Sequence, residues 1–454
     1  MFDKSILILN FIFILFLYYK MNSLNEPNYY QYQNGMKFMT LQNKTFQSMI
    51  LYFYVKVGSK DETPEINGIS HFLEHMLFKG TKKYPTYIEI NGLLDSKGIY
   101  FNAFTYKNMT AYYFKFIPND DNLKLVCNMI YEMLFRSLNR KKDLEVERNV
   151  VIQEFNEMID TPDDYMAEIV EDFVFKGHKL SMSIIGTKKS IHNINRKDIV
   201  EFYNQHYQPK NILISMTGNF PLKYKSLLEK YFIKSKIIPN LKYSPCSTIT
   251  PAIMSPKPVK LLYYPKKLQQ TFLSIIFPIN GMVDNNNNIY RLISNILGGN
   301  MSSRLFVKVR EELGLAYSIS ASISNYEDAG YFIIDTKTEP NKTTQAFKAI
   351  INELKLIKSK LVGLKELASN KTNFIDIFKT DFDDLEILSE YYSEQYLFGT
   401  PIEPIESRLK KIKLINRTHI LETSNTLFDF TKMMVVCYGS CEQSKINKIV
   451  NSLQ

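Results

Sequence analysis

The sequence predicts an α+β protein with two similar lobes, each an antiparallel sheet with covering helices, arranged as a clamshell. At 454 residues the chain is too long for one ordinary core, and 45% hydrophobic with 22% charged residues is typical of a globular protein. Both halves carry runs of β-forming residues and segments with helical apolar spacing. An apolar strand at 212–216 is closed by Gly218, and a similar strand at 433–437 is closed by Gly439, 221 residues later. This repeat indicates two related lobes.

The domain boundaries follow the composition. Residues 237–258 contain five prolines with serines and threonines between them, a density that breaks helices and central strands. We therefore expect a signal peptide or membrane anchor, an N-terminal domain, a hinge linker and a C-terminal domain, over residues 1–21, 35–236, 237–258 and 259–454.

The N-terminus combines Lys4 with an apolar run from Ile6 to Tyr19 that only Asn10 interrupts. Fourteen residues are short for a membrane span but suit the apolar core of a secretory signal. We therefore expect export, to a bacterial periplasm or to an anchored position in the envelope. No small-x-small cleavage site follows, so the segment is either retained as an anchor or cut further on. If translation starts at Met21 instead, the protein has no signal and is cytoplasmic.

Charge and cysteine content exclude several classes of function. The net charge is +10, but the lysines are scattered and no arginine-rich arm is present, which predicts no nucleic-acid partner. The four cysteines (Cys127, Cys246, Cys437 and Cys441) form no C-x-x-C pair or zinc-ribbon spacing. Cys437 and Cys441 either bridge or remain as free thiols, and the free thiols are the better interpretation.

A short motif, His71-Phe72-Leu73-Glu74-His75, lies in the apolar segment 69–78. On a helix, His71 and His75 leave the same face at i, i+4 spacing and can reach one metal ion. Glu74 lies beside that face, where it can accept a proton from a metal-bound water. A single helical histidine is usually structural, but an H-x-x-E-H motif should arise by chance in below about one such chain in a hundred. The motif therefore predicts a zinc hydrolase.

The longer stretch 68–81, with sequence GISHFLEHMLFKGT, resembles the signature of the pitrilysin-like (M16) zinc metallopeptidases. The resemblance is strongest to the processing-peptidase-like branch and extends from about Met36 over nearly the whole remaining chain. It implies a metalloendopeptidase with one Zn²⁺ per chain.

A third protein ligand is needed, because catalytic zinc is held by three residues with one position open. The family's E-R-x5-E pattern matches Glu147, Arg148 and Glu154 on a predicted helix over 144–154. The resemblance makes Glu154 the third ligand and Glu147 an acidic partner that supports catalysis. Seven residues are nearly two helical turns, so both carboxylates share a face. The alternative is a solvated charged face. Three further histidines, His178, His192 and His206, are not assigned to metal.

The remaining elements of the first half are mostly strands. We expect strands at 36–41 and 49–57, a helix at 84–95, a strand pair at 99–106 and 110–114, and a helix at 123–135. Asn102, Ala103 and Thr105 match the family's N-A-x-T pattern, which implies that this strand binds the substrate backbone as an added strand. Where many relatives have an acidic residue, this chain has Asn108, so substrate preference is open.

The second half should be helical but without metal ligands where it repeats the motif. The offset of 221 places the metal helix on Leu292, Asn295 and Ile296. Further on, the blocks GGNMSSRLF and REELGLAY resemble a family segment in which Arg310 and Tyr317 match a pair that reaches the substrate. Without the resemblance, Arg310 would be interpreted as a helix-capping residue and Tyr317 as a buried core residue. Long helices are expected at 343–360 and 380–398.

Together these observations predict a zinc-dependent endopeptidase that hydrolyses peptides or unstructured protein segments, with Glu74 as general base. The alternative is a catalytically silent M16-type scaffold or one subunit of a heterodimeric peptidase. Because one chain carries both the zinc motif and the Arg310 block, a homodimer, a related M16 partner or a self-sufficient enzyme is expected. A third possibility, a zinc-storing or regulatory module, is disfavoured because it would leave Glu74 without a function.

Overall fold

In the computed structural model, which describes residues 26–233 and 261–453, each half of the chain forms one sheet covered by helices. The predicted α+β fold with two similar lobes is confirmed. The predicted N-terminal signal or anchor (1–21) and the linker (237–258) lie outside the described residues. Within the described ranges, no helix has the length and apolar character needed to cross a membrane.

The first half contains six strands and eight helices among the residues that the structure describes. In chain order they are β1 (Asn28–Gln31), β2 (Lys37–Gln42), β3 (Met49–Val55), α1 (Ile69–Leu77), α2 (Tyr87–Asp95), β4 (Tyr100–Thr105), β5 (Thr110–Phe116), α3 (Asp120–Arg136), α4 (Lys141–Asp160), α5 (Pro162–Val174), α6 (Lys188–Asn193), α7 (Arg196–His206), β6 (Ile212–Gly218) and α8 (Lys223–Phe232).

The second half repeats this plan with five strands in its described part. The elements are β7 (Leu261–Tyr264), β8 (Thr271–Ile279), α9 (Asn287–Gly298), a π-helical segment (Phe306–Glu312), β9 (Ala316–Asn325), β10 (Gly330–Thr338), α10 (Thr343–Ser359), α11 (Leu364–Asp381), α12 (Leu385–Phe398), α13 (Ile405–Leu414), α14 (Arg417–Leu427), β11 (Met434–Tyr438) and α15 (Gln443–Ser452).

The two sheets have matching topologies. Their strand orders are β1-β2-β6-β3-β5-β4 and β7-β11-β8-β10-β9. Most neighbours are antiparallel, as predicted, but β2 pairs with β6 and β7 pairs with β11 in parallel. The sheets are therefore mixed, because β6 and β11 each enter the sheet after a long helical crossover. Strands β4 and β9 lie at equivalent free edges.

Two predicted helix boundaries were wrong because of local capping. The helix expected from Tyr84 begins at Tyr87, since Thr86 forms a capping box with Glu89. The segment 380–398 was expected to be one helix, but α11 ends at Asp381 and α12 begins at Leu385. Asp384 caps the new helix by accepting the N–H of Glu386 at 2.7 Å.

Each sheet is covered on one face by a helix from the other half of the chain. Strand β3 is buried throughout, so both of its faces need partners. On one face the first sheet packs against its own helices, and on the other against α12 and α13. The second sheet likewise packs on its own helices and, on its other face, against α5. The two lobes are thus joined by an exchange of helices as well as by the linker.

The β4–β5 and β9–β10 turns are equivalent and lie close together. Each closes with the same backbone hydrogen bond, from Tyr106 to Met109 at 2.7 Å and from Tyr326 to Ala329 at 2.8 Å. The side-chain amide of Asn108 donates to Glu327 across the lobes at 2.9 Å.

Lys107, in the first of these turns, is buried with 1% of its side chain exposed. Its ammonium lies 2.8 Å from a carboxylate oxygen of Glu171 on α5 and donates to the carbonyl of Met182 at 3.0 Å. Tyr326 from the second lobe donates to the other oxygen of Glu171 at 2.6 Å. Glu171 thus joins a hairpin of the first lobe to α5 through the buried Lys107, and to the second lobe through Tyr326.

We expect Lys107→Met to lower the free energy of unfolding by about 2–3 kcal/mol, because it leaves Glu171 as a half-buried charge without its cation. Chemical denaturation of the metal-free protein measures this. The control is Lys124→Met, whose exposed pair with Asp121 spans 3.7 Å and should contribute less than about 1 kcal/mol. Equal effects of the two substitutions would contradict the prediction, and adding Glu171→Gln to Lys107→Met should restore part of the loss.

Candidate metal centre

Helix α1 presents an apolar face to the first core and a polar face to the candidate site. Spacing of three and four residues places one set of side chains in the core, and these are fully buried: Ile69, Phe72, Leu73, Met76 and Leu77. His71 and His75 lie half-buried on the other face, as the motif predicts. Their rings are 4.6 Å apart between centroids.

The start of α1 is fixed by a residue that sequence reasoning did not identify. Gly68 has φ +94°, and a Cβ there would lie 2.5 Å from the carbonyl oxygen of Ile185. Glycine therefore fits, but it offers no side chain to cap the helix. Glu62 takes that role by accepting the N–H of Gly68 at 2.6 Å and of Ser70 at 2.8 Å. Burial raises the pKa of Glu62 to about 7, and its two carboxyl oxygens pair with N–H groups that have no partner within the helix, so Glu62 holds the first turn of α1.

Helix α4 carries the two glutamates of the predicted E-R-x5-E pattern. Arg148 lies between them and anchors the helix, because its guanidinium donates to the backbone carbonyls of Ile191 and Ile194, the latter at 2.8 Å. Glu147 and Glu154 leave the same side of α4, toward α1.

The three predicted ligands converge on one point. The Nε2 atoms of His71 and His75 are 3.2 Å apart, and each lies 3.6 Å from Oε2 of Glu154. Zinc ligands at about 2.1 Å in a tetrahedral arrangement stand about 3.4 Å from each other, so this triangle has the size that Zn²⁺ requires. Two nitrogens and one carboxylate oxygen are also donors that zinc prefers. Among the described residues, this is the one group of histidine, cysteine, aspartate or glutamate side chains placed to hold a metal ion.

The electrostatics of the two histidines differ. Burial, with a contribution from His75, lowers the pKa of His71 to about 3, so this imidazole is neutral at physiological pH. Burial disfavours the charged form of His75 as well, but its hydrogen bond to Glu147 and nearby carboxylates raise its pKa overall. Burial raises the pKa of Glu154, and His75 opposes that effect.

Glu147 orients His75. The carboxylate is buried, with 3% of the side chain exposed, and its Oε2 lies 3.0 Å from Nδ1 of His75. Because an ionised carboxylate only accepts, Nδ1 donates and the lone pair of Nε2 faces His71 and Glu154. Burial opposes ionisation, but the hydrogen bonds from His75 and Lys79 lower the pKa of Glu147 below its ordinary value.

Glu74, the expected general base, is 9% exposed, and burial raises its pKa. It accepts a hydrogen bond from the hydroxyl of Thr105 at 2.6 Å. Thr105 was expected to bind substrate; in the structure its side chain holds one oxygen of Glu74, which leaves the other free to accept a proton.

Strand β4, predicted to align the substrate, lies at the free edge of the first sheet beside α1. Asn102 is exposed, Ala103 is half-buried, and the side-chain oxygen of Asn102 accepts the backbone N–H of Ala103 at 2.8 Å. The backbone N–H of Ala103 is therefore already hydrogen-bonded to the Asn102 side chain. An incoming peptide would have to displace that side chain to reach this N–H.

Arg310 and Tyr317 lie in the second lobe and are not joined to the metal cluster. Arg310 sits in the π-helical segment, with its guanidinium 4.7 Å from the ring of Phe306 and 3.6 Å from Glu311. Tyr317 is 71% exposed near the start of β9. No hydrogen bond or ion pair in the described parts of the chain connects either residue to His71, His75 or Glu154. A role for this pair therefore requires a substrate between the lobes.

The other histidines and cysteines make ordinary structural contacts. His178 accepts the N–H of Leu180 at 3.2 Å, and His206 packs against Phe202 at 4.4 Å. Cys127, Cys437 and Cys441 are free thiols, and Cys246 lies outside the described residues. The segment with Leu292, Asn295 and Ile296 forms α9, which is helical and carries no metal ligands.

Two family descriptions match consecutive parts of the chain. Residues 37–188 match "Insulinase (Peptidase family M16)", and residues 193–374 match "Peptidase M16 inactive domain". The first match contains all three candidate ligands and Glu74, and the second begins after them.

Similar proteins extend the likeness over most of the chain. The uncharacterized zinc protease YmxG of Bacillus subtilis is 34% identical over 75% of this chain and 81% of its own length. An uncharacterized zinc protease of Rickettsia bellii is 31% identical over 87% of this chain and 93% of its own.

Solved structures agree in fold. A protease from Helicobacter pylori has a TM-score of 0.81 at 20% identity, covering 91% of this chain and 100% of its own. The periplasmic protease PqqL from Escherichia coli has a TM-score of 0.74 at 17% identity, covering 94% of this chain and 49% of its own. Because two M16 descriptions match consecutive parts of the chain and zinc proteases are more than 30% identical to it over most of its length, the chain belongs to the M16 peptidase family.

Proposed function

We propose that this protein is a zinc-dependent endopeptidase that hydrolyses peptides or unstructured protein segments. The observation that carries the proposal is the convergence of two imidazole nitrogens from α1 and one carboxylate oxygen from α4 at zinc-ligand spacing. The buried Glu74 lies on α1 between the two histidines. Peptide substrates follow from membership of a peptidase family.

In this mechanism His71, His75 and Glu154 hold the zinc ion. Zinc, when bound, supplies a Lewis acid that polarises the scissile carbonyl and activates a water molecule. Glu74, held by Thr105, accepts a proton from the attacking water and then donates it to the leaving amine. Glu147 keeps His75 in one tautomer throughout.

Substrate positioning falls to the free edge of β4 and to the second lobe. A peptide that adds to this edge as an extra strand must be extended, which favours flexible chains over folded proteins. Asn102 and Ala103 would contact its backbone, while Arg310 and Tyr317 would donate hydrogen bonds to it from the second lobe.

Export and self-association are further parts of the proposal. The apolar run at 6–19 supports export, and PqqL, a structural neighbour, is described as periplasmic. Because one chain holds both the candidate zinc site and the Arg310 block, a homodimer, a related M16 partner or a self-sufficient enzyme fits better than an obligate pair of complementary subunits.

Glu74→Gln should lower peptide cleavage by about 10²–10⁴-fold, because an amide cannot accept the proton of the attacking water. Cleavage of a quenched fluorescent peptide library measures this, and zinc content should stay at one ion per chain. Glu201→Gln, an exposed position on α7 that pairs with Lys197, is the control and should leave activity unchanged. Full activity of the Glu74 variant would rule out this general base, and an inactive wild-type chain that binds zinc would instead favour a scaffold or a missing partner.

Chelation of zinc should abolish cleavage, and stoichiometric zinc should restore it. Glu154→Gln should weaken zinc binding by more than about 100-fold, beyond the loss typical of residues that only support the ligands. Competition with a zinc-binding dye gives the affinity, with Glu201→Gln as control. Unchanged affinity in the Glu154 variant would remove this residue from the ligand set.

Tyr317→Phe should lower kcat/KM by about 10–100-fold without changing zinc content, since it removes a donor to the substrate carbonyl. The comparison is Tyr231→Phe on α8, whose ring packs beside Phe232. If both variants retain wild-type kcat/KM, the second lobe does not bind substrate through this hydroxyl.

A further inference from the structure

Lys79 follows the end of α1, four residues after His75, and reaches the carboxylate that orients this histidine. Its ammonium lies 2.5 Å from Oε1 of Glu147, while Oε2 of the same carboxylate lies 3.0 Å from Nδ1 of His75. A lysine, a buried glutamate and a histidine thus form one continuous chain of contacts that ends at the candidate zinc site.

The contact with Lys79 matters because the Glu147 carboxylate is buried. Glu147 is almost completely buried, and among the described residues its Oε1 accepts no hydrogen bond of ordinary geometry, so the ion pair with Lys79 is the contact that balances this oxygen. A buried carboxylate oxygen without a partner is costly, so without Lys79 the carboxylate would rotate or lose its charge. Either change would disturb the hydrogen bond that holds His75.

The position of Lys79 is itself well fixed. Its backbone carbonyl accepts a hydrogen bond from Arg140 at 3.1 Å, and its N–H donates to Met76 at 3.2 Å. The ammonium also lies 4.9 Å from the centre of the Tyr87 ring, at a cation–π distance. The side chain is 24% exposed, so most of its length is held between α2 and α4.

We propose that Lys79 is a positioning residue for the zinc site, which acts through Glu147 to hold His75 in its ligating orientation. Glu147 lies on α4, the helix that also carries Glu154. This inference rests on the proposed zinc site but adds a residue that the ligand set does not include.

Lys79→Met should weaken zinc binding by about 10–100-fold, the range seen when a group that supports a metal ligand is lost. Lys79→Arg keeps the cation and should restore most of the affinity. Lys83→Met is the matched control, because Lys83 lies on the same loop but donates to Asn128 at 2.6 Å on an exposed surface. Competition with a zinc-binding dye measures all three variants.

Cobalt substitution separates positioning from a general effect on folding. At saturating Co²⁺, a displaced His75 should change the d–d absorption of Lys79→Met, whereas a purely structural role would lower only the unfolding temperature of the metal-free protein. Wild-type zinc affinity and an unchanged cobalt spectrum in Lys79→Met would overturn the proposal. No zinc binding by the wild-type protein would instead overturn the proposed function.

A double-mutant cycle keeps the test decisive if Lys79→Met folds poorly. Glu147→Gln removes the buried charge, so adding Lys79→Met to it should cause little further loss of zinc affinity if Lys79 acts through Glu147. Independent losses that add in the double variant would show that Lys79 acts by another route, and would overturn the inference.

Discussion

The fold depends on the need of each sheet to cover two apolar faces. Strand β3 is buried on both sides, and the helices of its own half cover only one of them. The second face is completed by α12, whose Leu385 and Leu388 are almost fully buried. Each such side chain contributes about 1.5–3 kcal/mol on burial. The free energy lost by removing all the buried side chains of α12 is therefore comparable to the net stability of a typical domain. The packing of α12 on the first sheet and of α5 on the second is therefore part of the core of the fold.

This constraint reaches the metal centre through α4 and α5. Helix α4 supplies Glu147 and Glu154 to the first lobe, and α5 follows it at once and packs on the second sheet. Lys107 ties α5 to the β4–β5 turn, and β4 supplies the hydroxyl that holds Glu74. The candidate ligands, Glu74 and the contact between the lobes thus belong to one connected set of elements.

The sequence predicted the parts of the site that are local. His71 and His75 share a helix turn, so their spacing alone indicated a common metal. Glu154 became a candidate through the resemblance of its helix to a known family, since its sequence gives no other sign that it meets α1. Thr105 and Glu74 are 31 positions apart, and Glu147 and His75 are 72 apart. Such pairings are set by the sheet and by helix packing, and no local pattern encodes them. Glu62 was missed for the same reason, although an acidic residue shortly before a glycine at a helix start is a usable signal. The break before α12 was missed because the cap at Asp384 lies within an otherwise helical pattern.

The free edge of β4 has a consequence for solubility. An exposed strand that accepts extended chains as added strands would also accept the edge of another copy, and such pairing leads to aggregation. In this protein the Asn102 side chain already occupies the N–H of Ala103, and the strand is only six residues long. The edge is thereby a poor template for a second sheet, yet it needs only the rotation of one side chain to present its donor. One asparagine side chain thus occupies a backbone donor on a strand edge that has no neighbouring strand.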